Sequence, residues 1–291
     1  MKRKSLSGSI KTLKGFFVLN QQSKGLCEDA EGIYIMKVRE MDIEFYRRYF
    51  NSLEAGRKYN WRYNELKPCG VNYNSVLCAL SYDVHHGKFR DYQRESEEII
   101  ALLGLDADQT VIDMGCGTGA FAVHAAKHSR KVYAVDVSKA MLRCARRKAK
   151  KAKLNNIEFH RGGFLTYEHK AMPVDAIVST VALHHLPDFW KLTGLWRLAQ
   201  MLKTGGKLYL FDVVFSFNVD DSENRLNRWV KSTAERIGPT FAGEVEIHIR
   251  EEYSTFDWIM EGLLKQAGFE IETANYKHDL MAAYLCTRKG E

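Results

Sequence analysis

The chain has 291 residues, 45% hydrophobic and 27% charged, which is a globular composition able to bury a sizeable core. Its 43 basic and 36 acidic side chains leave a formal charge of +7, too modest to define a nucleic-acid-binding protein by itself. No apolar run reaches the roughly 20 residues that span a bilayer, and none of the six cysteines forms the CxxC pair of a zinc ribbon or redox motif.

The chain opens with Lys2, Arg3, Lys4, Lys11 and Lys14 ahead of a short apolar stretch at 15–19. That stretch is too short for a signal peptide and no small-residue cleavage site follows. Residues 1–35 are therefore expected as a flexible tail. Scattered cysteines without a secretion signal imply reduced thiols and a cytoplasmic protein.

Residues 36–94 are expected to form a helical cap. Aromatic and charged residues recur at helical spacing over 41–49, and Pro68-Cys69-Gly70 marks a turn. A helix over 92–103 would bury Ile99, Ile100, Leu102 and Leu103, with Gly104 as its stop.

From residue 108 strand, turn and helix alternate. Strands are expected at 110–113, 131–135, 157–160, 174–180 and 207–214, then at 269–274 and 282–287. Helices are expected at 120–127, at 138–153 behind the cap Ser138, at 192–202 and at 254–267. Residues 215–252 read as an insertion. The alternation predicts an α/β fold: a doubly wound, mostly parallel seven-stranded sheet with helices on both faces, occupying 95–291.

The first strand ends in Asp113-Met114-Gly115-Cys116-Gly117-Thr118-Gly119, and a helix follows at once. Glycines let a ligand approach the main chain, and ligands of open α/β sheets bind at the carboxyl ends of the strands. A dinucleotide fingerprint is GxGxxG. Here the spacing is GxGxG with an acid two residues ahead, which suits a ligand with an ammonium group better than a pyrophosphate.

This turn resembles motif I of the class I S-adenosylmethionine-dependent methyltransferases. The resemblance implies S-adenosylmethionine as cofactor and S-adenosylhomocysteine as product. It places Asp113, Gly115, Cys116, Gly117 and Gly119 against the methionine part of the ligand. Asp136, at the end of the second strand, would accept both ribose hydroxyls, with Val137 and Met141 flanking the adenine. Gly163 stands where many members carry an acid facing the adenine amino group, so a backbone group or Phe164 takes that role. Thr180, in the stretch Ser179-Thr180-Val181-Ala182-Leu183-His184-His185-Leu186, resembles a later family motif, as does Leu202-Lys203-Thr204-Gly205-Gly206. The paired final strands fit the family's reversed last strand. The 36–94 segment resembles the N-terminal cap of members that act on small molecules.

His184 or His185 would act as a general base if the acceptor needs one; packing and backbone positioning is the competing reading. Tyr82 is either a lid over the ligand or a core tyrosine. His85-His86 lacks a helical HxxxH or nearby cysteines, so it reads as solvent-facing and no metal site is expected. The expected partner is a small-molecule methyl acceptor, with no membrane. Its pocket would draw on 60–95, on the loop after Leu186 and on the aromatics Phe215, Phe217, Trp229, Phe241, Tyr253, Phe256 and Trp258.

Two alternatives stand. A basic helix at 143–153 could serve an RNA methyltransferase, although a solvated face explains Arg143, Arg146, Arg147, Lys148, Lys150, Lys151 and Lys153 equally well. The chain could also bind the cofactor in a regulatory or non-methyltransferring role. The sequence is silent on the identity of the acceptor and on oligomeric state.

Overall fold

The computed structural model describes residues 26–28, 34–36, 61–75, 79, 82–84, 86–87 and 90–290. The chain divides into two units, Met1–Arg62 and Tyr63–Glu291. In the first, β1 (Leu26–Glu28) pairs antiparallel with β2 (Tyr34–Met36). The rest of the expected tail, and the expected helix at 41–49, lie outside the described residues.

The second unit is built on one sheet. Its strands are β3 (Thr110–Met114), β4 (Lys131–Asp136), β5 (Ile157–Arg161), β6 (Val174–Thr180), β7 (Leu202–Phe215), β8 (Thr255–Phe256), β9 (Phe269–Lys277) and β10 (Met281–Arg288). Their order is β5-β4-β3-β6-β7-β10-β9, and the short β8 pairs with β7. Strands β3 to β7 are mutually parallel, while β10 runs antiparallel to both β7 and β9. The expected seven-stranded path and reversed last strand are both present, with β8 added.

Helices cover both faces because parallel strands must be buried on both. They are α1 (Tyr92–Leu103), α2 (Ala120–Ala125), α3 (Lys139–Lys151), α4 (Asp188–Met201), α5 (Ser222–Arg236), α6 (Pro239–Glu251) and α7 (Asp257–Gln266). All five residues of β3 are buried. Val111 packs with Ile99 and Leu103 of α1 and Phe121 of α2. Ile112 and Met114 point the other way, to Leu195 and Leu198 of α4 and Met260 and Leu264 of α7. Each fully buried aliphatic side chain contributes roughly 1.5–3 kcal/mol.

Local signals bound the helices, with Gly104 and Ser138 acting as expected and Asp91 as an additional cap. Asp91 accepts from the Arg94 amide at the start of α1, and Gly104 closes it in the left-handed conformation. The Ser138 hydroxyl accepts from the Met141 amide at the start of α3.

Three expectations change. Helix α4 starts at Asp188, four residues before the apolar run, with Pro187 as its N-cap residue and the acidic Asp188 favourable in its first turn. Residues 255–256 leave the expected 254–267 helix to pair with Val214 and Phe215 as β8, so α7 starts at Asp257. The insertion folds into α5 and α6. Of the cap, 61–75 is turn and bend, with helical residues at 79, 82–84 and 86.

Candidate active site

Strand order reverses between β3 and β6, and the glycine turn sits at that point. The amides of Gly115 and Cys116 both donate to the Val135 carbonyl, at 2.8 and 2.9 Å, which binds the turn to β4. Gly115 has φ +78°, and a Cβ there would lie 2.4 Å from the Ala182 methyl. No atom stands within 4 Å of where a Cβ on Gly117 would project, so the turn is open on that side.

Asp136 knits this turn to the next loop. One of its carboxylate oxygens accepts from the Gly117 amide at 2.8 Å, the other from the Ser138 amide at 2.7 Å. Each oxygen keeps a second lone pair for a ligand hydroxyl. Burial pushes its pKa up, and the two amides oppose that. Asp113 is 2% exposed, and its Oδ2 is buried without a hydrogen-bond partner. Burial, then the charge of Asp136, raise its pKa to about 7, against a smaller opposing contribution from the Ala122 amide.

The segment before α1 reaches this region at three points. Glu65 accepts from the Leu165 and Thr166 amides and the Thr166 hydroxyl, at 2.6–3.1 Å. Asp83 accepts from the Thr118 hydroxyl at 2.6 Å and pairs with Lys148 at 2.6 Å. Lys148 also donates to the Thr118 hydroxyl at 2.8 Å. Ser138 donates to the Tyr73 carbonyl. Tyr82 stacks on His86 with ring centroids 3.9 Å apart and meets Tyr73 edge-on. His86 is half-buried, which corrects its reading as solvent-facing; His85 lies outside the described side chains.

A cavity of about 1050 Å³ spans these parts. Gly115, Gly117, Asp136, Val137, Met141, Gly163, Phe164, Thr180 and Tyr82 line it, together with His184 and His185. Asp113, Cys116 and Gly119 do not; they sit behind the turn and shape it. Of the expected acceptor aromatics, Trp229 and Phe241 line the cavity. Phe215, Phe217 and Phe256 pack on one another instead, while Tyr253 and Trp258 are exposed.

The far side of the cavity holds a chain of charges. His184 Nδ1 lies 2.5 Å from Asp212 Oδ1, and His184 Nε2 lies 3.2 Å from Glu252 Oε2. Glu252 also meets His248 Nδ1, whose Nε2 reaches the Ser254 hydroxyl at 2.7 Å. Burial alone would depress His184, but Asp212 and Glu252 outweigh it and raise its pKa to about 9. Burial, then the neighbouring His184, hold His185 down at about 4. Val181 precedes this cluster with φ +53°, an unusual conformation for a β-branched residue.

Sequence reasoning missed Glu65, Asp212, His248 and Glu252. One signal was present: His248 and Glu252 lie four apart, on one face of the α6 end. Nothing in the sequence links Glu65 to a turn 100 residues later.

The turn and its acids fit the expected cofactor. An unpaired buried carboxylate oxygen, a raised acid beside a second acid and an open glycine surface suit a ligand carrying positive charge and ribose hydroxyls. With the sheet order, they define a Rossmann-like methyltransferase. Residues 111–206 match the family described as Methyltransferase domain. An uncharacterised methyltransferase of Geobacillus sp. strain WCH70 is 28% identical over 197 residues, 66% of this chain and 86% of that one. A solved S-adenosylmethionine-dependent methyltransferase from Clostridium acetobutylicum ATCC 824 superposes with TM-score 0.55 at 15% identity, covering 73% of this chain and 98% of the other. Magnesium protoporphyrin IX methyltransferase from Synechocystis PCC 6803, solved with bound S-adenosylhomocysteine, gives 0.52 at 20%, covering 85% and 100%. The chain carries a methyltransferase domain over residues 111–206, its fold is shared with solved S-adenosylmethionine-dependent methyltransferases, and S-adenosylmethionine is its cofactor. Among the described residues no helix is long and apolar enough to cross a membrane.

Proposed function

We propose that the enzyme methylates a small-molecule acceptor held in the same cavity as the cofactor. The observation that carries this reading is the cavity itself. At about 1050 Å³ it lies just above the roughly 300–1,000 Å³ range of small-molecule sites. That leaves room for an acceptor beside the cofactor. On the side away from the glycine turn it is lined by Trp229, Phe241, His185 and His248, which suits a planar or apolar acceptor.

In this reading Gly115 and Gly117 hold the methionine part, with Asp113 behind them supplying negative charge. Asp136 takes the ribose, and Val137, Met141, Gly163 and Phe164 surround the adenine. Thr180 and Tyr82 close the same space. Bound S-adenosylmethionine supplies an electrophilic methyl group on a sulfonium. The protein's contribution is alignment and exclusion of water. His184 has both ring nitrogens engaged, so it positions its neighbours and is not a base. His185 keeps its Nδ1 uncommitted and lines the cavity. The residues before α1 act as a cap over this site. Free thiols at Cys69, Cys116, Cys144 and Cys286 agree with a cytoplasmic enzyme.

Transfer of isotope from methyl-labelled cofactor tests the proposal. Purified enzyme is incubated with a small-molecule extract and, separately, with total RNA. Label is expected in the small-molecule fraction. Label confined to RNA would establish the alternative substrate class. Cofactor binding with no transfer to either would favour the regulatory role.

A further inference from the structure

His184, His185, His248 and Glu252 converge from two separate pieces of chain. The histidine pair lies in the turn after β6, His248 in the last turn of α6, and Glu252 just beyond it. One nitrogen each of His184 and His248 and a Glu252 oxygen all lie within 4.8 Å of one another. The side chains of His184 and Glu252 are 4% and 3% exposed. All four residues line the cavity.

Two details go beyond a hydrogen-bonded cluster. Asp212 takes His184 Nδ1, and is itself fixed by the amides of Leu183, His184 and Val213. That arrangement orients Nε2 toward Glu252, and a carboxylate behind the distal nitrogen is the usual support of a metal-bound histidine. The second detail is His185. Its Nδ1 is buried without a hydrogen-bond partner, 3.9 Å from Glu252 Oε1. Hydrogen bonds account for His184 and His248 and leave this nitrogen unexplained.

We propose that His184 Nε2, His248 Nδ1 and Glu252 form a binding site for a divalent first-row transition cation, with His185 Nδ1 as a further ligand. The separations of 3.2 Å from His184 Nε2 to Glu252 Oε2 and 3.9 Å from His185 Nδ1 to Glu252 Oε1 lie near the edge of about 3.4 Å expected for a tetrahedron with bonds near 2.1 Å, whereas His248 Nδ1, in direct contact with Glu252 Oε2, must move outward to make room for the ion. The widest separation, up to 4.8 Å, must close by about 1.4 Å, within the reach of a side-chain rotation. Imidazole nitrogens with one carboxylate suit Zn²⁺, Fe²⁺, Mn²⁺ or Co²⁺; Mg²⁺ and Ca²⁺ favour all-oxygen sites. A cation held by His184, His248 and Glu252 faces the cavity, and its fourth position is taken by His185 Nδ1 or, when that ligand yields, by an acceptor heteroatom. This deepens the reading of that side as the acceptor site, yet cation binding is measured with no acceptor present.

The test uses full-length protein dialysed against EDTA and checked for folding by circular dichroism. It is titrated with Co²⁺, read by visible absorption, and with Zn²⁺ by calorimetry. One equivalent per chain is expected. Glu252→Gln and His248→Ala should each weaken binding by at least about tenfold, and Asp212→Asn by about 10- to 100-fold. His248→Cys should keep the site and add a sulfur-to-cobalt charge-transfer band, a signature that a purely structural histidine cannot give. His169→Ala, elsewhere on the molecule, should change nothing. Folded wild-type protein that binds neither ion overturns the site, as does binding unaltered by Glu252→Gln and His248→Ala. Binding that persists while no small molecule accepts label would separate this site from the proposed acceptor.

Discussion

The carboxylate of Glu65 fills the space beside Gly163 into which a side chain would project: Glu65 Oε2 lies 2.5 Å from the Cβ that a residue at 163 would carry. At the end of the site proposed for the adenine, an acid therefore comes from the segment before α1 instead of from the loop after β5. It also holds the Leu165 and Thr166 amides. Glu65→Ala should weaken S-adenosylhomocysteine binding by about tenfold, or ~1.4 kcal/mol, in calorimetry. Gly163→Asp alone should lose at least as much, because two carboxylates would then meet. The double variant should recover part of the loss, since the new acid takes the vacated space. Strictly additive losses would show that the two positions do not share it.

Asp113 is predicted to trade stability for binding. Its folded pKa, about 7, is raised above the unfolded value by burial and by Asp136. The folded state thus holds the proton more tightly. The group's favourable contribution is complete below about pH 4 and is lost as pH rises from there to about 7. Asp113→Asn should therefore raise the melting temperature at pH 8 by a few degrees, with little gain at pH 4. The same variant should bind S-adenosylmethionine more weakly, because the ligand's ammonium favours the ionised acid. In the wild type, affinity should rise with pH up to about 7 and then level. A variant less stable at pH 8, with unchanged affinity, would contradict both halves.

Much of the sheet was legible because its signals are local. Alternating strands and helices, Ser138 as a cap, Gly104 as a stop and the spacing from Asp113 to Asp136 each rest on contiguous residues. The far side of the cavity was not legible, for the opposite reason. Asp212 meets His184 across the β6–β7 neighbourhood, and Glu252 reaches His184 and His185 from the end of an insertion that carries no motif. The aromatics of 215–258 show the limit most directly. Their composition suggested one pocket, yet Phe215, Phe217 and Phe256 serve β7 and β8, while Trp229 and Phe241 face the cavity. Side-chain type alone does not distinguish core from pocket.

Gly70 governs how closely the segment before α1 approaches Glu252. It has φ +63°, and an added Cβ would sit 2.0 Å from Glu252 Oε1. The flanking residues hold the loop there: the Cys69 thiol donates to the Glu251 carbonyl at 2.9 Å and the Val71 amide to Glu252 at 3.3 Å. Gly70→Ala would carry roughly 1–2 kcal/mol of backbone strain in addition to the steric conflict. Residues 63–75 should then exchange amide hydrogen faster and be cut earlier by protease, with β3 to β6 unaffected. Equal exchange in the two proteins would show that this loop is not held by its contact with Glu252.

The basic helix α3 separates into two kinds of cation, and substitution should reveal them. Arg143, Arg147 and Lys150 are exposed. Lys148 is instead half-buried and bonded to both Asp83 and Thr118, next to the glycine turn. Replacing Arg143, Arg147 and Lys150 by Gln should leave the KM for S-adenosylmethionine within about twofold, since solvated charges contribute little. Lys148→Gln removes the link between Asp83 and the turn. A side chain about one-third exposed limits that loss to ~1 kcal/mol, so KM should rise by about fivefold or less while kcat holds. The exposed triple variant is also the sharper probe of nucleic acid. If wild-type protein binds RNA with a steep salt dependence and the triple variant does not, the outer face of α3 is a substrate surface. If RNA binding is weak and equal in both, that face is only solvated.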